Sequence, residues 1–397
     1  MKPIHLTYFI GIAGFTLVTA GRVALQLYAL ELGATPGEVG VLFSTYFIFP
    51  LLISFPLGLL ADRVSSRGLL ALGMAIGAGG MLVPALVQGM PALYFAGIMI
   101  GITFAFTSVL IQNITGLLSR PDERARNFSN ASLVGASTLM LGPLVAGFGI
   151  DLFGHAGACL SGVVLGVLAM AMLARWGGVF PKPGSRQRAS APAVPATTGR
   201  LAAAWLSLRE SLADRKSLPI IVVGSILHFG QDLYQFYLPV YAHDLGLSAS
   251  VIGIILACVF VMSVVVRAWL PMLVKRLGEE RLLIMAFVLG ALGFAFTPML
   301  AHPVALCLLA GLFGLGMGAG SPVIMMLIFA HAPEGRSGEM VGIRNTANNL
   351  GRAGAPPLFG FIASVAGLMP VFAISAGMMV AGAWVMNRQL RRLSVAK

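Results

Sequence analysis

Apolar stretches of about twenty residues follow one another along nearly the whole chain, and each is long enough to cross a bilayer as a helix. Twelve can be marked, near 5–30, 39–61, 68–88, 92–118, 128–150, 156–176, 218–242, 250–274, 281–300, 303–330, 338–362 and 367–387, with short polar turns between most of them. Lipid offers no water to the backbone, so such stretches must satisfy their own N–H and C=O groups as helices. Only 10% of the residues are charged, against about 25% in an ordinary soluble domain. The expectation is an all-α membrane protein of twelve transmembrane helices. The first stretch is too long for a signal peptide and has no clear cleavage site, so it counts as helix 1.

An internal repeat narrows the choice further. Tyr28-Ala29-Leu30-Glu31-Leu32-Gly33 returns 213 positions later as Tyr241-Ala242-His243-Asp244-Leu245-Gly246. The same offset pairs Gly11 with Gly224, Gly40 with Gly253, Arg63 with Arg276, Pro143 with Pro356 and Gly147 with Gly360. Two pseudo-symmetric six-helix bundles are expected, 1–176 and 218–397, joined by 177–217. Parallel repeats of membrane helices are a recurrent build of secondary transporters, with the solute site between the halves.

The net charge of +12 would suggest nucleic acid for a soluble protein. Its placement argues against that. Of 26 Lys and Arg, 22 lie at the termini or in alternate loops, and the other loops hold Glu31, Glu38, Asp151, His155, Asp244 and His302 instead. This is the positive-inside pattern. Both termini and the middle loop are expected in the cytoplasm, the chain in the inner membrane, and the basic excess against anionic lipid headgroups.

Segment 177–200 is rich in Pro, Gly, Ser, Ala and Arg and reads as a flexible linker. Residues 200–216 then set Leu201, Trp205, Leu208 and Leu212 at helical spacing among basic residues, the pattern of an amphipathic helix on the inner membrane surface. Cys159, Cys258 and Cys307 sit singly in apolar helices, with neither zinc spacing nor a disulfide framework. No cofactor or metal is expected. Helix 10 carries Gly311, Gly314, Gly316, Gly318 and Gly320, which serve either close packing or flexing during gating.

After helix 2 the chain reads Gly58-Leu59-Leu60-Ala61-Asp62-Arg63-Val64-Ser65-Ser66-Arg67. This resembles the signature loop of the major facilitator superfamily, Gly-x-Leu-Ala-Asp-Arg-x-Gly-Arg-Arg, with Ser65 and Ser66 departing from it. A weaker copy, Pro271 to Gly278, lies at the 213 offset, with Lys275 in place of the acid. The resemblance implies the superfamily's twelve-helix fold and transport by alternating access. It also implies that Asp62, with Arg63 and Arg67, makes and breaks contacts that gate the cytoplasmic side. The alternative is that these residues only anchor the loop. Gly142-Pro143-Leu144-Val145-Ala146-Gly147 is similar to an element of proton-coupled exporters, with Ala146 where that element has Gly.

Four arginines remain inside helices, Arg22, Arg267, Arg344 and Arg352, with Asp232 the only acid at depth. A charge at the bilayer centre costs at least ~2.5 kcal/mol, so each is a functional candidate. Helix 7 puts His228, Gln231, Asp232 and Gln235 on one face, and helix 1 does the same with Thr19, Arg22 and Gln26. The 213 offset lays Thr19 on Asp232 and Arg22 on Gln235, as expected if both faces line one cavity. Helix 4 adds Ser108, Gln112 and Thr115, and helix 11 adds Arg344, Asn345, Asn348, Asn349 and Arg352. The intramembrane balance is positive, and an anionic solute would offset it. We expect Arg22 and Arg352 to hold a small organic anion, oriented by Gln112, Gln235 and Asn348. Asp232 is the expected proton-coupling residue, with His228 beside it. Two alternatives stand against this: Arg267 and Arg344 snorkel or cap helices, and Asp232 pairs with Arg352 or Arg22 as a structural salt bridge.

The leading expectation is a monomeric, proton-coupled secondary transporter of an organic anion, with a small molecule, protons and lipids as partners. Multidrug or siderophore efflux by proton antiport is the alternative, favoured by the helix 5 element and the Met- and Phe-rich chain. An intramembrane enzyme would need paired acids, a Ser/His/Asp set or metal ligands, and only Asp232 and His228 lie at depth.

Overall fold

The computed structural model describes residues 3–61, 64–120, 123–180, 217–331 and 337–395. Asp62, Arg63 and the expected surface helix at 200–216 lie outside the described residues. The described chain is helical throughout, apart from turns. The first half contains α1 (Pro3–Glu31), α2 (Pro36–Ala61), α3 (Ser66–Leu86) and α4 (Met90–Leu118). A long helical element, Arg124–Trp176, follows. It breaks at Gly154, whose φ of 71° and ψ of 178° are not helical. A residue with a β-carbon is strained there. The break divides the element into α5 (124–153) and α6 (155–176).

The second half contains α7 (Ser217–Asp244), α8 (Ala249–Leu277), α9 (Glu279–Phe296), α10 (Pro303–His331), α11 (Ser337–Ala366) and α12 (Leu368–Val395). Among the described residues, nine helices are long and apolar enough to cross a membrane, the long α5–α6 element counting as one of them. The two left out are α7 and α11, the helices whose polar faces lower their hydropathy. The outer surface is greasy: Phe153, Leu308 and Val365 are each 73% exposed. Such surface needs lipid around it.

The packing repeats between halves. α1 lies on α5 as α7 lies on α11, and α2 lies on α4 as α8 lies on α10. Across the halves, α2 packs on α11 and α5 on α8. The two seams repeat the same backbone contact. A β-carbon on Gly40 would overlap the Pro356 carbonyl, and one on Gly253 would overlap the Pro143 carbonyl. Both pairs differ by the 213 offset. The glycines therefore let the backbones of opposite halves touch.

The seams close at the end of the molecule that carries Glu31, Glu38, Asp151 and Asp244, the acidic end. There the Asp151 carboxylate of α5 accepts hydrogen bonds from the Ala249 and Ser250 amides at 3.1 and 2.9 Å, capping the start of α8. Its repeat mate Ser364 accepts from the Gly37 amide at 2.9 Å, at the start of α2. α2 also caps itself: Glu38 accepts from the Thr35 amide at 2.8 Å, and the Thr35 hydroxyl from the Glu38 amide at 3.3 Å. α8 has Val251 where α2 has Glu38, so it takes its carboxylate from the other half.

One hydrophobic cluster runs through both halves around Leu25, Tyr28, Leu42, Phe236, Leu238 and Ile252. A second, around Leu6, Ile10, Leu70, Ile111 and Leu173, belongs to the first half alone and lies at the basic end. The halves are thus fused at the acidic end. The glycines of α10 are accounted for by close packing: a β-carbon on Gly314 would overlap the Val259 carbonyl, and one on Gly318 would sit 2.5 Å from Ser263 Cα.

Candidate functional site

A cavity of about 250 Å³ lies between the halves, lined by Arg22 and Thr19 of α1, Phe47 of α2, Phe104 of α4, Gln231, Asp232 and Gln235 of α7, and Arg352 of α11. A smaller space shares Arg22, Asp232 and Gln235 as lining residues and adds Gln26 and Phe43. The two polar faces related by the repeat do meet here. Thr19 is held by its own helix and by α5, its hydroxyl 2.8 Å from the Phe15 carbonyl and 2.9 Å from the Thr138 carbonyl. Toward the acidic end, the buried Gln26 amide donates to the Phe236 carbonyl of α7 at 2.6 Å and ties the halves together above the cavity.

The charges in the cavity divide into a pair and a single. Arg352 Nε donates to Asp232 Oδ2 at 2.7 Å, between α11 and α7. Both side chains keep some exposure, 29% and 18%, so the pair faces the cavity. Arg22 has no acid. Its Nε and Nη2 are buried without a hydrogen-bond partner among the described residues. Three aromatic rings surround it instead, with the guanidinium carbon 4.7 Å from the centre of Phe47, 5.0 Å from Phe104 and 5.7 Å from Tyr46. Ring faces attract a cation but do not hydrogen-bond its N–H groups, so they replace only part of its lost hydration.

The other expected residues fall in different places. Gln235 lines the cavity. Asn348 sits one turn before Arg352, with its Oδ1 buried and without a partner among the described residues, and it is not among the lining residues. Gln112 is exposed on α4 and does not line this cavity. His228 Nδ1 lies 3.3 Å from the Gly224 carbonyl of its own helix. Arg267 Nε donates to the Gly318 carbonyl of α10 at 3.1 Å, a tie between helices. Arg344 is buried beside Gly224, with Nε and Nη1 lacking partners among the described residues. Arg67 Nη2 donates to the Ala174 carbonyl of α6 at 3.0 Å, within its own half.

Sequence reasoning missed Phe47 and Phe104. An aromatic residue facing a cavity and one facing lipid read alike in an apolar helix, so no signal separated them. Gln26 was visible as part of the helix 1 face, but its partner is a backbone carbonyl, which carries no sequence signature.

Comparison with known proteins agrees with this architecture. The family model described as Major Facilitator Superfamily matches residues 4–303 and 220–392. The chain is 25% identical over 405 residues to multidrug resistance protein MdtG of Salmonella dublin, covering 97% of this chain and 93% of that one. It is 23% identical over 371 residues to the uncharacterized MFS-type transporter MJ1560 of Methanocaldococcus jannaschii, covering 91% and 92%. The crystal structure of nucleoside transporter NupG superposes with a TM-score of 0.76 at 16% identity, covering 98% of this chain and 99% of that one. A POT family transporter in complex with 5-aminolevulinic acid superposes with a TM-score of 0.75 at 14% identity, covering 97% and 95%. With two mirrored helix bundles, a polar cavity between them and a family match over nearly its whole length, the chain belongs to the Major Facilitator Superfamily of membrane transporters.

Proposed function

We propose that this transporter moves a small organic anion by alternating access, coupled to protons. The observation that carries this reading is Arg22, a cation that lines the cavity and has two buried donors without partners among the described residues. Leaving such donors unmade costs about 1–3 kcal/mol each, and a carboxylate or phosphate would offset that with a bidentate contact. Gln235 is the lining amide suited to orient the anion. Asn348 and Gln112 would reach it only in another conformation. Arg352 serves as a second anion contact whenever Asp232 takes a proton and releases it. Asp232 is then the coupling residue, with His228 one turn away.

The remaining roles follow the same scheme. Asp62, Arg63 and Arg67 form the cytoplasmic gate. Residues 1–176 and 218–397 rock about the cavity, with 177–217 linking them. The chain works as a monomer in the inner membrane with both termini in the cytoplasm. The test is uptake and counterflow in vesicles with a panel of organic anions, in the native chain and in Arg22→Gln. Anion transport lost in the variant supports the reading; transport of cationic dyes alone would overturn it. A second reading, multidrug efflux by proton antiport, is favoured by the likeness to a multidrug resistance protein over nearly the full chain. Drug-stimulated proton release from vesicles, insensitive to Arg22→Gln, would select it.

A further inference from the structure

Taking the anion reading as its base, the geometry points to a narrower cargo: a carboxylate with a single charge and a flat aromatic body. Three observations lead there.

The first is charge. Among the lining residues, two guanidinium groups face one carboxylate, which leaves one positive charge while Asp232 is ionised and paired to Arg352, the arrangement seen here. A monoanion neutralises it. A dianion leaves one negative charge in a site closed at the acidic end, where low polarity makes an unmatched charge costly.

The second is the edge of Arg22 that lacks partners. Nε and Nη2 are the two donors on one side of a guanidinium, spaced for the two oxygens of one carboxylate. Both donors are buried in this state, so an anion meets that edge once the last side-chain torsions turn it into the cavity that the residue already lines. The Phe47, Phe104 and Tyr46 rings crowd the guanidinium without offering it an acceptor.

The third is the surroundings. Phe47 lies between the two cations, 4.7 Å from the Arg22 guanidinium carbon and 5.6 Å from that of Arg352. Phe104 covers Arg22 from another side. A carboxylate on that edge places its body against ring surfaces. An aromatic body meets them edge to face, a contact that adds to area burial.

The experiment uses the purified full chain in nanodiscs at neutral pH and measures binding of benzoate, cyclohexanecarboxylate, acetate, phthalate and benzamide. Benzoate is expected to bind at least about tenfold tighter than phthalate and acetate and several-fold tighter than cyclohexanecarboxylate, with no binding of benzamide. Phe104→Leu, which keeps an apolar side chain of similar reach, should erase the preference for benzoate over cyclohexanecarboxylate while the melting temperature stays within a few degrees. Carboxylates bound without regard to ring or charge number, or a ring preference unmoved in Phe104→Leu, would sink the narrower inference and leave the anion reading standing. Binding of none of the acids would remove both.

Discussion

At the scale of single residues, the site trades stability for chemistry. Arg22 is a cation among rings, without a paired acid among the described residues, and replacing a poorly compensated buried charge by an apolar side chain of similar volume tends to stabilise a protein. Arg22→Met is therefore expected to raise unfolding stability by about 1–2 kcal/mol while abolishing anion binding. Thermal unfolding and binding on the same sample check both signs. Asp232→Asn has the opposite signature. It strands Arg352, whose Nε now donates to that carboxylate, and because the pair keeps some exposure the expected loss is about 1–3 kcal/mol. Transport in this variant should no longer respond to a proton gradient, measured in vesicles with and without an imposed pH difference. The sequence made Thr19, Arg22, Asp232 and Gln235 legible because the repeat superposes them. It left open which arginine meets Asp232, because Arg22 and Arg352 sit on different helices and only packing decides. Phe47 and Phe104 stayed hidden because an apolar helix shows no contrast between lipid and cavity.

At the scale of elements, the seams depend on missing side chains. Gly40 and Gly253 sit at equivalent places against the Pro356 and Pro143 carbonyls. An alanine at either forces the two backbones apart, since neither can yield locally. Gly40→Ala and Gly253→Ala are each expected to loosen the acidic end and shift the population toward openness there, and the double variant more so. The measurement is labelling of Gln235→Cys, in a chain without its native cysteines, by a thiol reagent added from the acidic side. Unchanged labelling in all three variants would rule out the seams as determinants of closure. The glycine pairs were readable as repeat positions, while their purpose required the opposite half to be in place. α10 shows the converse. Its run of glycines suggested either bending or packing, and at Gly314 and Gly318 the α8 backbone lies close enough to require glycine.

At the scale of the whole molecule, topology was the most legible level. Hydropathy and the 213-residue repeat anticipate two bundles, because lipid enforces helices and each half must bury equivalent faces. Hydropathy alone marks α7 and α11 weakly for the same reason that they matter: their polar faces build the cavity. Orientation rests on charge placement, and it predicts that reporter domains fused to either terminus report from the cytoplasm. An alkaline phosphatase fusion, active only outside, should be silent at both ends, and a fluorescent protein fusion bright. The state of the molecule, fused at its acidic end, could not be read from sequence at all, since any two arrangements of the same two bundles share one sequence.

The different fastenings of the two seams set an order of events. α2 brings its own Thr35 and Glu38 to its first turn and borrows only a hydroxyl from its neighbour, whereas α8 depends on Asp151 from across the divide. Parting α2 from α11 strands little. Parting α5 from α8 leaves two amides and a carboxylate in need of water. The molecule should therefore unzip along one side first, swinging on the other like a door on its jamb, and cargo on the acidic side would pass obliquely beside α2 and α11.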